Sequence, residues 1–107
     1  MSTAPRSEIL KIAAMVEYQG GAVVSRQITK SEGGNVTLFA FDLGQELSAH
    51  MAPYDALLHV LDGEAEITIS GRSFLLKTGE AIIMPASESH AVKATQRFKM
   101  LLTMIKA

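Results

Sequence analysis

Polar and apolar positions alternate with a period of two over most of this chain. The cleanest run is Glu64–Ser70, with Ala65, Ile67 and Ile69 on one face and Glu64, Glu66 and Thr68 on the other. That is the pattern of a half-buried β-strand. Asn35–Asp42 sets Val36, Leu38, Ala40 and Asp42 against Thr37, Phe39 and Phe41. Ala22–Lys30, Leu47–Ala52, Ala56–Leu61, Ser73–Leu76, Ala81–Met84, His90–Ala94 and Phe98–Ile105 read as further short strands, broken by turn residues such as Ser31–Gly34 and Lys77–Glu80. Asp62-Gly63 reads as a primed hairpin turn, because Asp-Gly tolerates positive φ, and Gly71-Arg72 as a second turn. Many short strands with at most one short helix predict an all-β sandwich or barrel.

The N-terminus is less regular. Residues 1–7 read as a loose tail, leaving 8–107 as one domain. Ile9, Ile12, Ala13 and Val16 fit a helical stripe, and a strand over Glu8–Ile12 followed by a helical turn fits equally well.

Two strands are apolar on both faces. Ala56, Leu58 and Val60 oppose Leu57, His59 and Leu61, and Phe98, Met100, Leu102 and Met104 oppose Leu101 and Ile105. A sheet with one wet face would alternate cleanly, so the outer faces need a cover. A homodimer packing sheet against sheet is the simplest cover, and the N-terminal segment is the competing one.

Composition narrows the function. The chain has 107 residues, a net charge of −1 and no cysteine. Nothing marks it for nucleic acid or an anionic membrane. Disulfides, thiolate catalysis and sulfur-bound zinc are excluded. No apolar run approaches the ~20 residues of a membrane helix, and the N-terminus lacks a signal-peptide core. The cytoplasm is the default expectation.

The candidate chemistry lies in two stretches, Gly44–Gly63 and Gly79–Ala94. The first runs Gly44, five residues, His50, one residue, Ala52, three residues, Ala56, six residues, Gly63. The second runs Gly79, five residues, Pro85, one residue, Ser87, two residues, His90, three residues, Ala94. In spacing, order and terminal glycines these resemble the two motifs of the cupin family, G-x5-H-x-H-x3-4-E-x6-G and G-x5-P-x-G-x2-H-x3-N. The resemblance implies a double-stranded β-helix, or jelly roll, with the motif histidines facing the barrel interior. It also implies a metal held by two His and a Glu of the first motif and one His of the second. In this chain two of those four slots are Ala52 and Ala56, so only His50 and His90 remain.

Two imidazoles are too few for a tight site, since catalytic zinc normally has three protein ligands. The expected cofactor is therefore none, or a divalent transition metal (Zn, Fe, Mn or Ni) held weakly. Asp55 is a candidate third ligand, although its parity points it away from Ala56 and Pro-Tyr-Asp reads as a turn in which Asp caps backbone amides. Without metal, a histidine pair still binds an acidic or enol-like ligand or exchanges protons near neutral pH. The expected ligand pocket comprises His50, His90, Tyr54, Met84, Ala52 and Ala56, the two alanines leaving an apolar floor. Gln45 and Glu46 are candidates for its rim. His59, of opposite parity, is expected outside the barrel, and Met100 and Met104 within the core. The resulting expectation is a small-molecule-binding barrel. A metal-dependent enzyme of dioxygenase or isomerase type is the alternative, and a structural or sensory role through the dimer surface ranks third.

Overall fold

A computed structural model describes residues 3–106. Nine strands follow one turn of 3-10 helix at Ile12–Ala14: β1 (Val23–Ser31), β2 (Gly34–Phe41), β3 (Glu46–His50), β4 (Tyr54–Asp62), β5 (Glu64–Ile69), β6 (Arg72–Lys77), β7 (Ala81–Met84), β8 (His90–Lys93) and β9 (Phe98–Lys106). They form a five-stranded sheet of order β1-β2-β9-β4-β7 and a four-stranded sheet of order β3-β8-β5-β6. All pairings are antiparallel. The strand pattern predicts an all-β sandwich or barrel, and the architecture is the jelly roll that the resemblance implies.

The alternating residues meet between the sheets. Ala65, Ile67, Ile69, Leu76 and Val92 from the smaller sheet pack on Phe41, Ala56, Leu58, Val60, Met84, Phe98 and Met100 from the larger one. Phe41 and Phe98 stack at the centre, with ring centroids 4.5 Å apart. Each fully buried aliphatic side chain contributes about 1.5–3 kcal/mol. Met100 and Met104 belong to this layer as expected, Met104 only partly buried.

The outer face of the larger sheet has a cover of its own. Ala4, Leu10, Ile12, Met15, Val16 and Tyr18 pack on Ile28, Leu38, Ala40 and Leu101. Ala4, inside the stretch read as a tail, is buried and donates its N–H to the Ile28 carbonyl at 2.8 Å. Tyr18 donates to Asp62 Oδ2 at 2.5 Å, and Lys99 Nζ donates to the Ala13 carbonyl at 2.6 Å. The N-terminal segment is thus a strap. Neither sequence reading holds in full: the helical stripe over Ile9–Val16 shrinks to one 3-10 turn at Ile12–Ala14 with Ile9 exposed, and there is no strand over 8–12. This strap explains why β2 is apolar on both faces: Phe39 and Phe41 face the barrel while Leu38 and Ala40 lie under the strap.

One turn assignment is corrected. Asp62-Gly63 is not a hairpin, because β4 and β5 lie in different sheets. Gly63 is the corner where the chain crosses between them. Its φ is 80°, and a Cβ there would sit 2.0 Å from the Arg97 carbonyl oxygen. The primed hairpin is Ser70-Gly71, with φ of 47° and 83° and Ile69 opposite Arg72 across a two-residue loop.

Candidate functional site

β3 and β8 are neighbours, and their register places His50 directly opposite His90. Paired residues on adjacent strands project from the same face, so the two imidazoles converge. Their Nε2 atoms stand 3.1 Å apart and their rings meet edge-on, with centroids 4.4 Å apart. His90 is 6% exposed, whereas His50 is solvent-exposed. The pair therefore spans the barrel wall from interior to mouth.

The protons of the pair follow from their partners. His50 Nδ1 lies 2.8 Å from the Ser48 carbonyl oxygen. A carbonyl only accepts, so Nδ1 carries hydrogen. In the neutral pair, His50 Nε2 must then accept from His90 Nε2–H, and His90 Nδ1 keeps a bare lone pair. That atom is buried and has no hydrogen-bond partner. In the singly charged pair, His50 donates through both nitrogens and His90 becomes the Nδ1–H tautomer. Two doubly protonated rings would oppose N–H to N–H and cannot keep the 3.1 Å contact. Burial first, then the neighbouring His50, holds the His90 pKa below the usual histidine range, opposed by the Glu88 carbonyl. That carbonyl acts without forming a hydrogen bond of normal geometry. The one added proton thus belongs on exposed His50.

The other sequence candidates are placed as follows. Ala56 is buried on the inward face of β4, opposite Met84 of β7, which is also buried. Ala52 lies between β3 and β4, and its carbonyl accepts the Ser87 N–H at 2.8 Å. Tyr54 is half-buried on the same face of β4 as Ala56, with the Lys106 ammonium 5.7 Å from its ring centre. Asp55 Oδ1 accepts the Ala86 N–H at 2.8 Å, so its carboxylate caps the 85–89 loop that delivers His90. Gln45 accepts the Ala94 N–H through its carbonyl and extends the β3–β8 ladder, and Glu46 is exposed opposite Lys93. His59 is half-buried on the outward side of β4.

Sequence reading missed the Ser48 carbonyl, which fixes the His50 tautomer. A backbone oxygen leaves no signal in residue type. Ser87, which stands in the glycine slot of the second motif, has a φ of 64° and bends the loop before His90.

Whether the pair suits the metal of the resemblance is a question of spacing and number. Two imidazoles bound at about 2.0–2.1 Å to one ion stand roughly 3 Å apart, so the spacing admits an ion. The number does not. Among the described residues no group of three or more His, Cys, Asp or Glu gathers at one point. The donor set does not fit a tightly held resident metal.

Open hollows lie elsewhere. One of about 330 Å³ lies at the β1–β2 turn, one of about 270 Å³ on the outside of β3 and β8, and one of about 190 Å³ beside Leu57 and Ile83. None of these three is lined by His50 or His90.

Residues 37–106 match the Cupin domain family model. Since the match covers more than half of the chain, the protein belongs to the cupin family. Among solved structures, a conserved protein of unknown function from Streptococcus pyogenes superposes with a TM-score of 0.92 at 33% identity, covering 100% of this chain and 96% of that one. A cupin superfamily protein from Desulfitobacterium hafniense gives 0.91 at 28% identity over 99% and 97% of the two chains. A Cupin 2 conserved barrel domain protein from Leptotrichia buccalis gives 0.88 at 41% identity, covering 91% of this chain but only 47% of that longer one. No curated protein matches the chain. Among the described residues no helix is long and apolar enough to cross a membrane.

Proposed function

We propose that this cupin binds a small acidic molecule at the barrel mouth through the His50–His90 pair, without a tightly held metal. The observation that carries the reading is the 3.1 Å contact between a buried and an exposed imidazole. One proton added to the pair puts a single positive charge on His50, at the mouth. A carboxylate or enolate meeting that charge forms a charge-assisted hydrogen bond, worth about twice a neutral one. Ala56 and Met84 are buried in the apolar core between the sheets, and on this reading the ligand sits over exposed His50 and not deep in the barrel.

The alternative, a metal-dependent enzyme of dioxygenase or isomerase type, draws on the same spacing, because it admits an ion. The missing third donor weighs against it. A thermal-shift screen of small carboxylic acids separates the readings. Acids that raise the Tm of the wild type by several degrees and leave His50→Ala unmoved support binding at the pair. Shifts that survive both His50→Ala and His90→Gln exclude it.

A further inference from the structure

We propose, resting on the reading of the His50–His90 pair as an acid-binding site, that the acid is a dicarboxylate whose second carboxylate is held by Lys106 of the facing sheet. Lys106 reaches the barrel mouth by register. Phe98, Met100, Leu102 and Met104 of β9 pack in the core between the sheets, so the next residue of that alternation, Lys106, stands on the inward face. It pairs with Tyr54 of β4, two residues before buried Ala56. One rung deeper, Asn35, Met104, Ala56 and Met84 lie side by side on β2, β9, β4 and β7. Lys106 and Tyr54 are thus the outermost inward residues of their strands. On the smaller sheet the outermost rung is His50, His90, Ile69 and Arg72.

Topology sets Lys106 against the histidines. Four short crossings, 42–45, Gly63, 78–80 and 94–97, join the two sheets at the end away from the pair. They are tied together there: the Gly44 N–H donates to the Ala94 carbonyl at 2.9 Å, and Thr78 Oγ1 donates to the Gly63 carbonyl at 3.2 Å. These crossings align the order β2-β9-β4-β7 with the order β3-β8-β5-β6, so β9 faces β8. Lys106, the last inward residue of β9, therefore faces His90, the first residue of β8, with His50 one strand aside. Packed sheets stand about 10 Å apart, a gap that a lysine side chain and a short ligand close between them. Arg72, the other cation of the mouth, lies on β6, two strands from His90 in the same sheet. Its side chain projects alongside the imidazoles and not toward them.

Lys106 has a platform and lacks an anion. Its ammonium lies over the Tyr54 ring, 5.7 Å from the ring centre, a contact worth about 0.5–1 kcal/mol at an exposed site. Among the described residues the only ion pair is Arg97–Asp42. The carboxylates around the mouth do not reach the lysine. Glu88 accepts from Ser70 Oγ at 3.0 Å and Asp55 accepts the Ala86 N–H. Glu32, in the neighbouring β1–β2 turn, is exposed and makes no ion pair with it. With one proton on the histidine pair, the mouth thus carries two positive charges on facing sheets. A monocarboxylate answers one of them. A dicarboxylate answers both, with one end on His50 and the other on Lys106.

The test uses the full chain. Calorimetric titration at low salt and slightly acidic pH compares succinate, glutarate and adipate with butyrate, pentanoate and hexanoate. The wild type should bind the best diacid about three- to fivefold more tightly than the monoacid of equal length, the size of effect an exposed ion pair supplies. Lys106→Met keeps an apolar stem over Tyr54 and removes the charge. It should bring diacid and monoacid to equal affinity and leave the monoacid unchanged. Arg72→Met at the mouth and Lys77→Met at the far end of β6 should keep the preference. A Tm without acid equal to that of the wild type shows each variant to be folded. Equal affinities in the wild type, a preference that survives Lys106→Met, or one lost equally in Arg72→Met would overturn the second anchor and leave the acid site at the pair standing. Monoacid binding that persists in His50→Ala, or no binding of either kind of acid, would overturn the reading of the pair and the second anchor with it.

Discussion

His90 Nε2 lies 3.1 Å from His50 Nε2, and the second nitrogen of the buried ring has no partner. The two rings share one proton across that contact. Burial and the neighbouring imidazole both hold His90 below the ordinary histidine pKa, and this sets how the fold responds to acid.

The unfolded chain takes up protons on this histidine near pH 6.5, while the folded chain resists to lower pH. The unfolded state therefore binds more protons as pH falls, and stability is lost on the acid side. The stability associated with neutral His90 is fully present above about pH 6.5 and declines as pH falls toward the lowered folded value. Urea unfolding between pH 8 and 5 should show this decline, and His90→Gln should reduce its slope. The imidazole signals of His90 in NMR should titrate below the ordinary histidine range. Titration of His90 at the ordinary histidine value would contradict the shared-proton geometry.

Asp55 acts on the site through the loop that carries His90. Asp55→Ala leaves the Ala86 N–H without its acceptor and should cost about 1 kcal/mol. Amide exchange should quicken through residues 85–89 before it quickens in β5. If the loop is unchanged while the core loosens, the role of Asp55 is misassigned.

Gly63 should be the least replaceable residue of the sheet crossing. An added Cβ meets the Arg97 carbonyl oxygen at 2.0 Å, so Gly63→Ala should cost about 3 kcal/mol or more. Gly71→Ala meets no atom within 4 Å and should cost only about 1–2 kcal/mol, for its positive φ. Comparable losses in denaturant melts would rule out the corner as the cause.

Strands and site differ in how legible they were. Alternation at Glu64–Ser70 and the two spaced motifs located β5 and the two histidines, because a period of two and a fixed count of residues survive into the fold. Asp62-Gly63 misled for a physical reason: the same dipeptide serves a hairpin or a corner, and only the Arg97 carbonyl beyond it decides. The two-faced strands announced a cover, but the strap hides one half of the outer face while Leu57 and Ile83 remain open. Residue type does not encode that division. Nor does it encode the Ser48 carbonyl, on which the proton arrangement of the pair depends.

The most direct measurement on the central claim is the metal content of the untagged protein, expressed with mixed transition metals and purified without chelator. Metal well below one ion per chain, unchanged in the His50→Ala/His90→Ala double variant, is the expected result for a pair that serves an acidic organic ligand. About one ion per chain, lost in the double variant, would contradict it and bring the enzyme reading forward.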